Sequence, residues 1–178
     1  NLIANLPLNE KLIIKTVLEW SEEVNRAVKE TVFNLPPMQG ALNAIDFLIP
    51  YADLVVISNT PLDTLHREWS ENNIISKVLY VGGQETGTKT EMLTCAAKDK
   101  YEDSNILIIG DSPGDLTAAK NINAHFYPIL PTREYYSWDI FNADSCNDFL
   151  NGEYVGQNEK NKIDEFKSIL KLTPTWMT

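Results

Sequence analysis

Asp111 and Asp115 stand four residues apart, at the end of the apolar run Ile106-Leu107-Ile108-Ile109-Gly110. Such a pair is a candidate Mg²⁺ site, because that ion takes one or two carboxylates and fills its other positions with waters and substrate oxygens. The run has no polar alternation, the pattern of a strand covered on both faces in a parallel α/β sheet. Ser112 is placed to cap a following helix, Pro113 suits its first position, and Asp115 falls three residues after the cap. Asp111 is therefore expected at a strand tip and Asp115 in the first helical turn. Both then face the carboxyl edge of the sheet, where open α/β folds bind ligands.

A second junction has the same grammar. Asp53-Leu54-Val55-Val56-Ile57 reads as a buried strand, followed by Ser58-Asn59-Thr60-Pro61-Leu62-Asp63. Thr60 is the expected cap, Pro61 the first helical residue and Asp63 the third. Two such helix ends would aim free N–H groups at one point, a seat for phosphate, and Ser58 adds a hydroxyl. A third start signal is Thr88-Lys89-Thr90-Glu91, a capping-box pattern that puts Lys89 in a first helical turn. A cation there opposes the helix dipole, and residues that break a local rule are candidates for function.

In order and spacing these residues resemble the haloacid dehalogenase superfamily of hydrolases. Ile57-Ser58-Asn59 is similar to its second motif, Lys89 to its third, and Gly110-Asp111 with Asp115 to its fourth. The resemblance runs from about Pro37 to Leu130. It implies a Rossmann-like parallel sheet flanked by helices and an aspartate nucleophile that forms an aspartyl-phosphate. Ser58 would hydrogen-bond the transferring phosphoryl group, and Asn59 would add its backbone N–H. Lys89 would neutralise charge on nucleophile and phosphate. Asp111 would bind Mg²⁺, with Asp115 supporting it directly or through water. Phosphoryl transfer needs chiefly positioning and charge neutralisation, which this set supplies.

One element of that pattern is missing. The first motif is an apolar strand ending Asp-x-Asp, and no segment here fits it: Asp99–Asp103 is a polar loop and Asp46 sits inside an amphipathic helix. In the family that strand lies between those ending at Ser58 and Gly110. The chain is therefore expected to be a C-terminal portion, with residues 1–35 a remnant of a helical cap and residues 36–178 a core lacking its first strand. The absence of a start methionine and of a basic leader agrees with this expectation. Alone, the polypeptide is expected not to turn over a phosphate ester.

The elements that must position these residues follow from periodicity. Leu8 to about Phe33 reads as a helix preceding the entry Leu35-Pro36-Pro37-Met38-Gln39-Gly40. Helices are expected over 39–49, 62–72, 113–121, 133–141 and 161–170, with short strands over 77–81 and 125–127. Asp63 is explained by capping, His66 by a charged surface helix and His125 by a strand start. Tyr135, Tyr136, Trp138 and Phe141 read as anchors of a helix to the core.

Composition bounds the function. Against 15 Lys and Arg stand 25 Asp and Glu, a net charge of −10 that argues against nucleic-acid binding. It also leaves local cations and helix ends to attract a phosphorylated substrate. No apolar run reaches membrane-spanning length. Cys95, on an apolar helix face, and Cys146 lack metal-ligand spacing, so a reduced cytoplasmic protein with inert thiols is expected. The leading expectation is a Mg²⁺-dependent phosphatase of a small phosphorylated metabolite, its nucleophile outside these residues. A phosphomutase or dehalogenase of the same superfamily, or a non-catalytic phosphate-binding module, are the alternatives. Substrate identity and oligomeric state are not encoded in any readable motif.

Overall fold

The computed structural model describes residues 6–170, so the outermost residues of both expected domains lie outside it. The chain divides into two compact units, Asn1–Leu35 and Pro36–Thr178. The first holds one helix, α1 (Leu8–Thr31), carrying the ion pairs Lys15–Glu19, at 3.5 Å, and Arg26–Glu23 on its polar face.

The second unit is mixed α/β. Helix α2 (Gln39–Leu48) leads into strand β1 (Val55–Ile57), α3 (Leu62–Glu71) and β2 (Tyr80–Gly82). Then come α4 (Lys89–Ala97), β3 (Leu107–Gly110), α5 (Pro113–Asn121) and β4 (His125–Pro128). A continuous helical stretch follows: α6 (Glu134–Ile140), a π-helical turn over Phe141–Ser145 and α7 (Cys146–Leu150), before α8 (Gln157–Ile169). The expected elements are all present. The helix expected near 133–141 runs further, through a π-turn that widens the backbone ring and carries no side-chain signature.

The strands form two separate parallel pairs. β1 lies beside β2 with Val56 opposite Val81, and β3 beside β4 with Ile108 opposite Phe126. Among the described residues β1 and β3 are not paired, and no other strand lies between them. Both nonetheless border one cavity of about 100 Å³, with Val55 and Ile57 on one wall and Leu107, Ile108 and Ile109 on the other. Leu93 of α4 and Ala118 of α5 line it as well.

The two faces of β3 are covered, as its unbroken apolar run requires. Leu107 and Ile109 pack with Ala44, Leu48, Tyr127 and Phe141 on one side. Ile108 packs against Leu93 and Ala118 on the other, where Ile57 of β1 joins the same cluster. Yet every residue of β3 is only half-buried. Faces alone do not bury a strand: an unpaired edge keeps a row of backbone donors and acceptors open.

β4 is the best-buried strand. Tyr127 stacks edge-on against Phe141 at 4.9 Å between ring centres, and its hydroxyl donates to the Ser137 carbonyl at 2.6 Å. Tyr154, 1% exposed, donates its hydroxyl to the Phe126 carbonyl at 3.0 Å. Satisfying each buried phenol in this way avoids the penalty for an unpaired polar group.

Candidate functional site

The acidic junction forms as its local signals dictate. Ser112 caps α5: its Oγ accepts from the Asp115 N–H at 3.2 Å. In return the Ser112 N–H donates to Asp115 Oδ2 at 3.1 Å, closing a capping box, and Pro113 occupies the first turn. The other carboxylate oxygen, Oδ1, meets the ammonium of Lys89. The two side chains of that pair are 21% and 10% exposed.

Lys89 opens α4 behind a second capping box. The Thr88 Oγ1 accepts from the Glu91 N–H at 3.3 Å, and the Glu91 carboxylate accepts from the Thr88 N–H at 2.8 Å. The cation that opposes the dipole of its own helix is thus offset by a carboxylate at the start of the neighbouring one. Lys89 and Asp115 both line the cavity between β1 and β3.

Burial alone would push the Asp115 carboxyl up, since desolvation disfavours charge. The bonds from Lys89 and Ser112 outweigh it, and the group is held below the ordinary aspartate value. Asp115 is an anion fixed in place by three donors: Lys89, the Ser112 N–H and the Ser112 hydroxyl, which donates to Oδ2 at 2.8 Å.

Gly110 makes this placement possible. A Cβ built there would lie 2.5 Å from Asp115 Cβ and 2.6 Å from its Oδ2. The carboxylate packs directly on the strand tip, so the position takes no side chain. Asp111, the next residue, is exposed.

At the other junction the local expectation fails in part. α3 begins at Leu62, with Pro61 rather than Thr60 in the cap position and no side-chain cap bond. The Ser58 hydroxyl instead turns on its own loop, donating to Thr60 Oγ1 and accepting from the Thr60 N–H, both at 3.1 Å. The first N–H of α3, on Leu62, is taken by the Glu85 carboxylate at 3.0 Å. Proline lacks a donor and accepts extended backbone, so it serves as a cap while Glu85 performs the bonding. Glu85 lies 23 residues away in sequence, and no local pattern announces it. It occupies the helix end that the sequence offered to a phosphate.

The structure thus brings Lys89 and Asp115 into contact and sets Asp111 at the turn between β3 and α5. Ser58 and the exposed Asn59 follow Ile57, which shares the cavity wall with Lys89 and Asp115. The Ser58 hydroxyl engages Thr60 rather than that pair. The donor set fits Mg²⁺ only in part: both Asp115 oxygens are committed to Lys89 and Ser112. Asp111 is then the available ligand. Among the described residues no group of three or more His, Cys, Asp and Glu side chains is disposed to hold a metal. A divalent ion here would need oxygens from elsewhere.

The remaining candidates lie apart from the Lys89–Asp115 pair. His66 is exposed on α3. His125 bonds through Nδ1 to the Glu159 carboxylate at 2.8 Å, whose other oxygen accepts from the Phe126 N–H at 2.8 Å. Of the aromatic group, Phe141 is buried, whereas Tyr135 is 70% exposed. Cys95 is exposed on α4 rather than turned into the apolar cluster, and Cys146 is buried.

Comparison with family models, with curated proteins and with solved structures finds no match to this chain. Among the described residues no helix is long and apolar enough to cross a membrane.

Proposed function

We propose that this chain belongs to a phosphoryl-transfer hydrolase of the haloacid dehalogenase type, acting on a small phosphorylated substrate. The observation that carries the reading is the contact of Lys89 with Asp115 over Gly110, on the wall of a cavity between two strand pairs. Sequence spacing alone predicts no such contact, because the residues open different helices. In this reading Lys89 steadies the negative charge of nucleophile and phosphate, held by Asp115 rather than left to sample solvent. Preorganised charge of this kind costs no reorganisation during reaction.

Asp111 is the side chain that would hold Mg²⁺, with Asp115 acting on it indirectly. When bound, the ion would neutralise charge on the phosphate oxygens. Ser58 would turn from Thr60 to the phosphoryl group, and the Asn59 N–H would bond the same oxygens. The nucleophilic aspartate lies, in this reading, on a segment outside the 178 residues. Among the described residues β1 and β3 are each paired with one strand only and both border the cavity, which supports that position for it. An exposed strand-tip carboxylate at Asp111 favours a metal-dependent phosphatase over a metal-free dehalogenase.

A panel of phosphate monoesters tests the reading, assayed with and without EDTA on the protein joined to its nucleophile-bearing segment. EDTA-sensitive phosphate release is expected. Release indifferent to EDTA, or none from any ester, overturns it.

A further inference from the structure

Helix α1 is 24 residues long, and none of its residues is buried. Ile13, Val17, Trp20, Val24, Ala27 and Thr31 follow one another at alternating steps of four and three residues. That is the a/d repeat of a helix that pairs along its length, and it puts all six on one stripe. Ile13, Val17, Trp20 and Val24 are 61%, 57%, 67% and 38% exposed. Lys15, Glu19, Glu22, Arg26 and Lys29 lie on the opposite face. A helix with an open apolar stripe of this length is stabilised chiefly by a partner that covers the stripe.

We infer that this partner is a second copy of the chain, whose α1 lies antiparallel on the first. The stripe is self-complementary in that orientation, as a twofold interface requires. With the twofold axis level with residue 22, Trp20 meets Val24 of the second copy, Val17 meets Ala27 and Ile13 meets Thr31. Each larger side chain then faces a smaller one, whereas parallel pairing stacks Trp20 on Trp20 and Ala27 on Ala27. The polar groups at the stripe are already satisfied. The Thr31 hydroxyl donates to the Ala27 carbonyl at 2.6 Å, and the Thr16 hydroxyl to the Leu12 carbonyl at 3.0 Å. Glu23 of the two copies come together near the axis, each paired with Arg26 of its own helix. Aliphatic side chains bury roughly 60–120 Å² each, and a tryptophan about 150 Å² or more. Two copies therefore remove about 1,000 Å² from water, the size a specific interface needs. A lipid surface is the poorer match: acidic side chains of α1 slightly outnumber basic ones, whereas interfacial helices are rich in Lys and Arg. The pairing stands whether or not the chain transfers phosphoryl groups.

Sedimentation equilibrium of the full chain, from micromolar to near-millimolar concentration, should show a monomer in exchange with a dimer. Val24→Glu sets an unpaired charge in the seam and should weaken the dimer at least about tenfold. Glu22→Gln, on the opposite face, should leave the dissociation constant within about threefold. The orientation is read from disulfides formed on a Cys95→Ser background. Chains carrying Val17→Cys and Ala27→Cys are mixed in equal amounts and oxidised. Antiparallel pairing should give the mixed disulfide in about tenfold excess over either symmetric one, because only facing positions come within bonding distance. If Val24→Glu does not fold, the disulfide ratio decides.

A chain that stays monomeric over that range overturns the inference, as does a dimer that Val24→Glu leaves unchanged. Symmetric disulfides in place of the mixed one overturn it too, since they report parallel pairing. A monomer whose α1 amides resist hydrogen exchange assigns the stripe to a partner within the same chain, with the same result. So does a monomer that gains helix only on anionic phospholipid vesicles, because the membrane is then the occupant.

Discussion

The ammonium of Lys89 rests on the carboxylate of Asp115, so that the first turns of α4 and α5 neutralise one another across the cavity. Each residue answers a problem the other poses. Lys89 stands where its own helix dipole repels it, and Asp115 is buried where an unpaired charge is costly.

Asp115→Asn should therefore destabilise the fold by about 1–3 kcal/mol near neutral pH, by removing a charge-assisted bond and leaving Lys89 without its partner. The pH dependence has a definite direction. A carboxyl held below its ordinary value contributes stability that is complete above about pH 3.9. That contribution is lost as pH falls through the lower folded-state value. Urea denaturation of both proteins over this range should show their difference narrowing with acid. A difference that stays constant below pH 4 would contradict the anionic assignment.

Gly110→Ala introduces a methyl group where Asp115 already sits, at 2.5 Å from its Cβ. Overpacking of this kind costs about 1–3 kcal/mol, and here it displaces the carboxylate as well. Gly114→Ala provides the control, because its nearest neighbour is Ser112 Oγ at 3.4 Å. Thermal denaturation should separate the two variants clearly.

Glu159 holds the start of β4 through His125 and the Phe126 N–H. Glu159→Ala leaves a partly buried backbone donor without its acceptor, at about 1–3 kcal/mol. Hydrogen exchange at Phe126 should accelerate in the variant. Unchanged exchange there would mean that α8 does not anchor the strand.

The thiols differ in reach. Cys95 is exposed, while burial pushes the Cys146 thiol up to about 11. An aromatic disulfide reagent should titrate one thiol in the native chain and two in denaturant. Two fast native thiols would place Cys146 outside the core.

How much of this was legible depends on whether the determining contact is local. Ser112, Pro113 and Asp115 lie within one turn, and their capping box was readable directly. So was the covered-on-both-faces nature of Ile106–Ile109, since a short run without polar alternation, bounded by turn residues, suits a strand covered on both sides. The role of Glu85 at Leu62 was not legible, because a side chain from another element overrides the apparent Thr60 cap. The exposure of Cys95 was not legible for a related reason: in a helix with little amphipathic contrast, one residue's shift decides between core and solvent. Nor could spacing show that Lys89 reaches Asp115, since the contact depends on how α4 and α5 pack.

Turnover by the Asp111→Asn variant tests the central claim most directly. The substitution changes an exposed side chain, so stability should stay within about 0.5 kcal/mol of the parent. In the protein joined to its nucleophile-bearing segment, Mg²⁺-dependent phosphate release should fall by about 10²-fold or more, as expected when a group that neutralises phosphoryl charge is lost. Kinetics equal to the parent's, with the same response to EDTA, would contradict the assignment of Asp111 and with it the hydrolase reading.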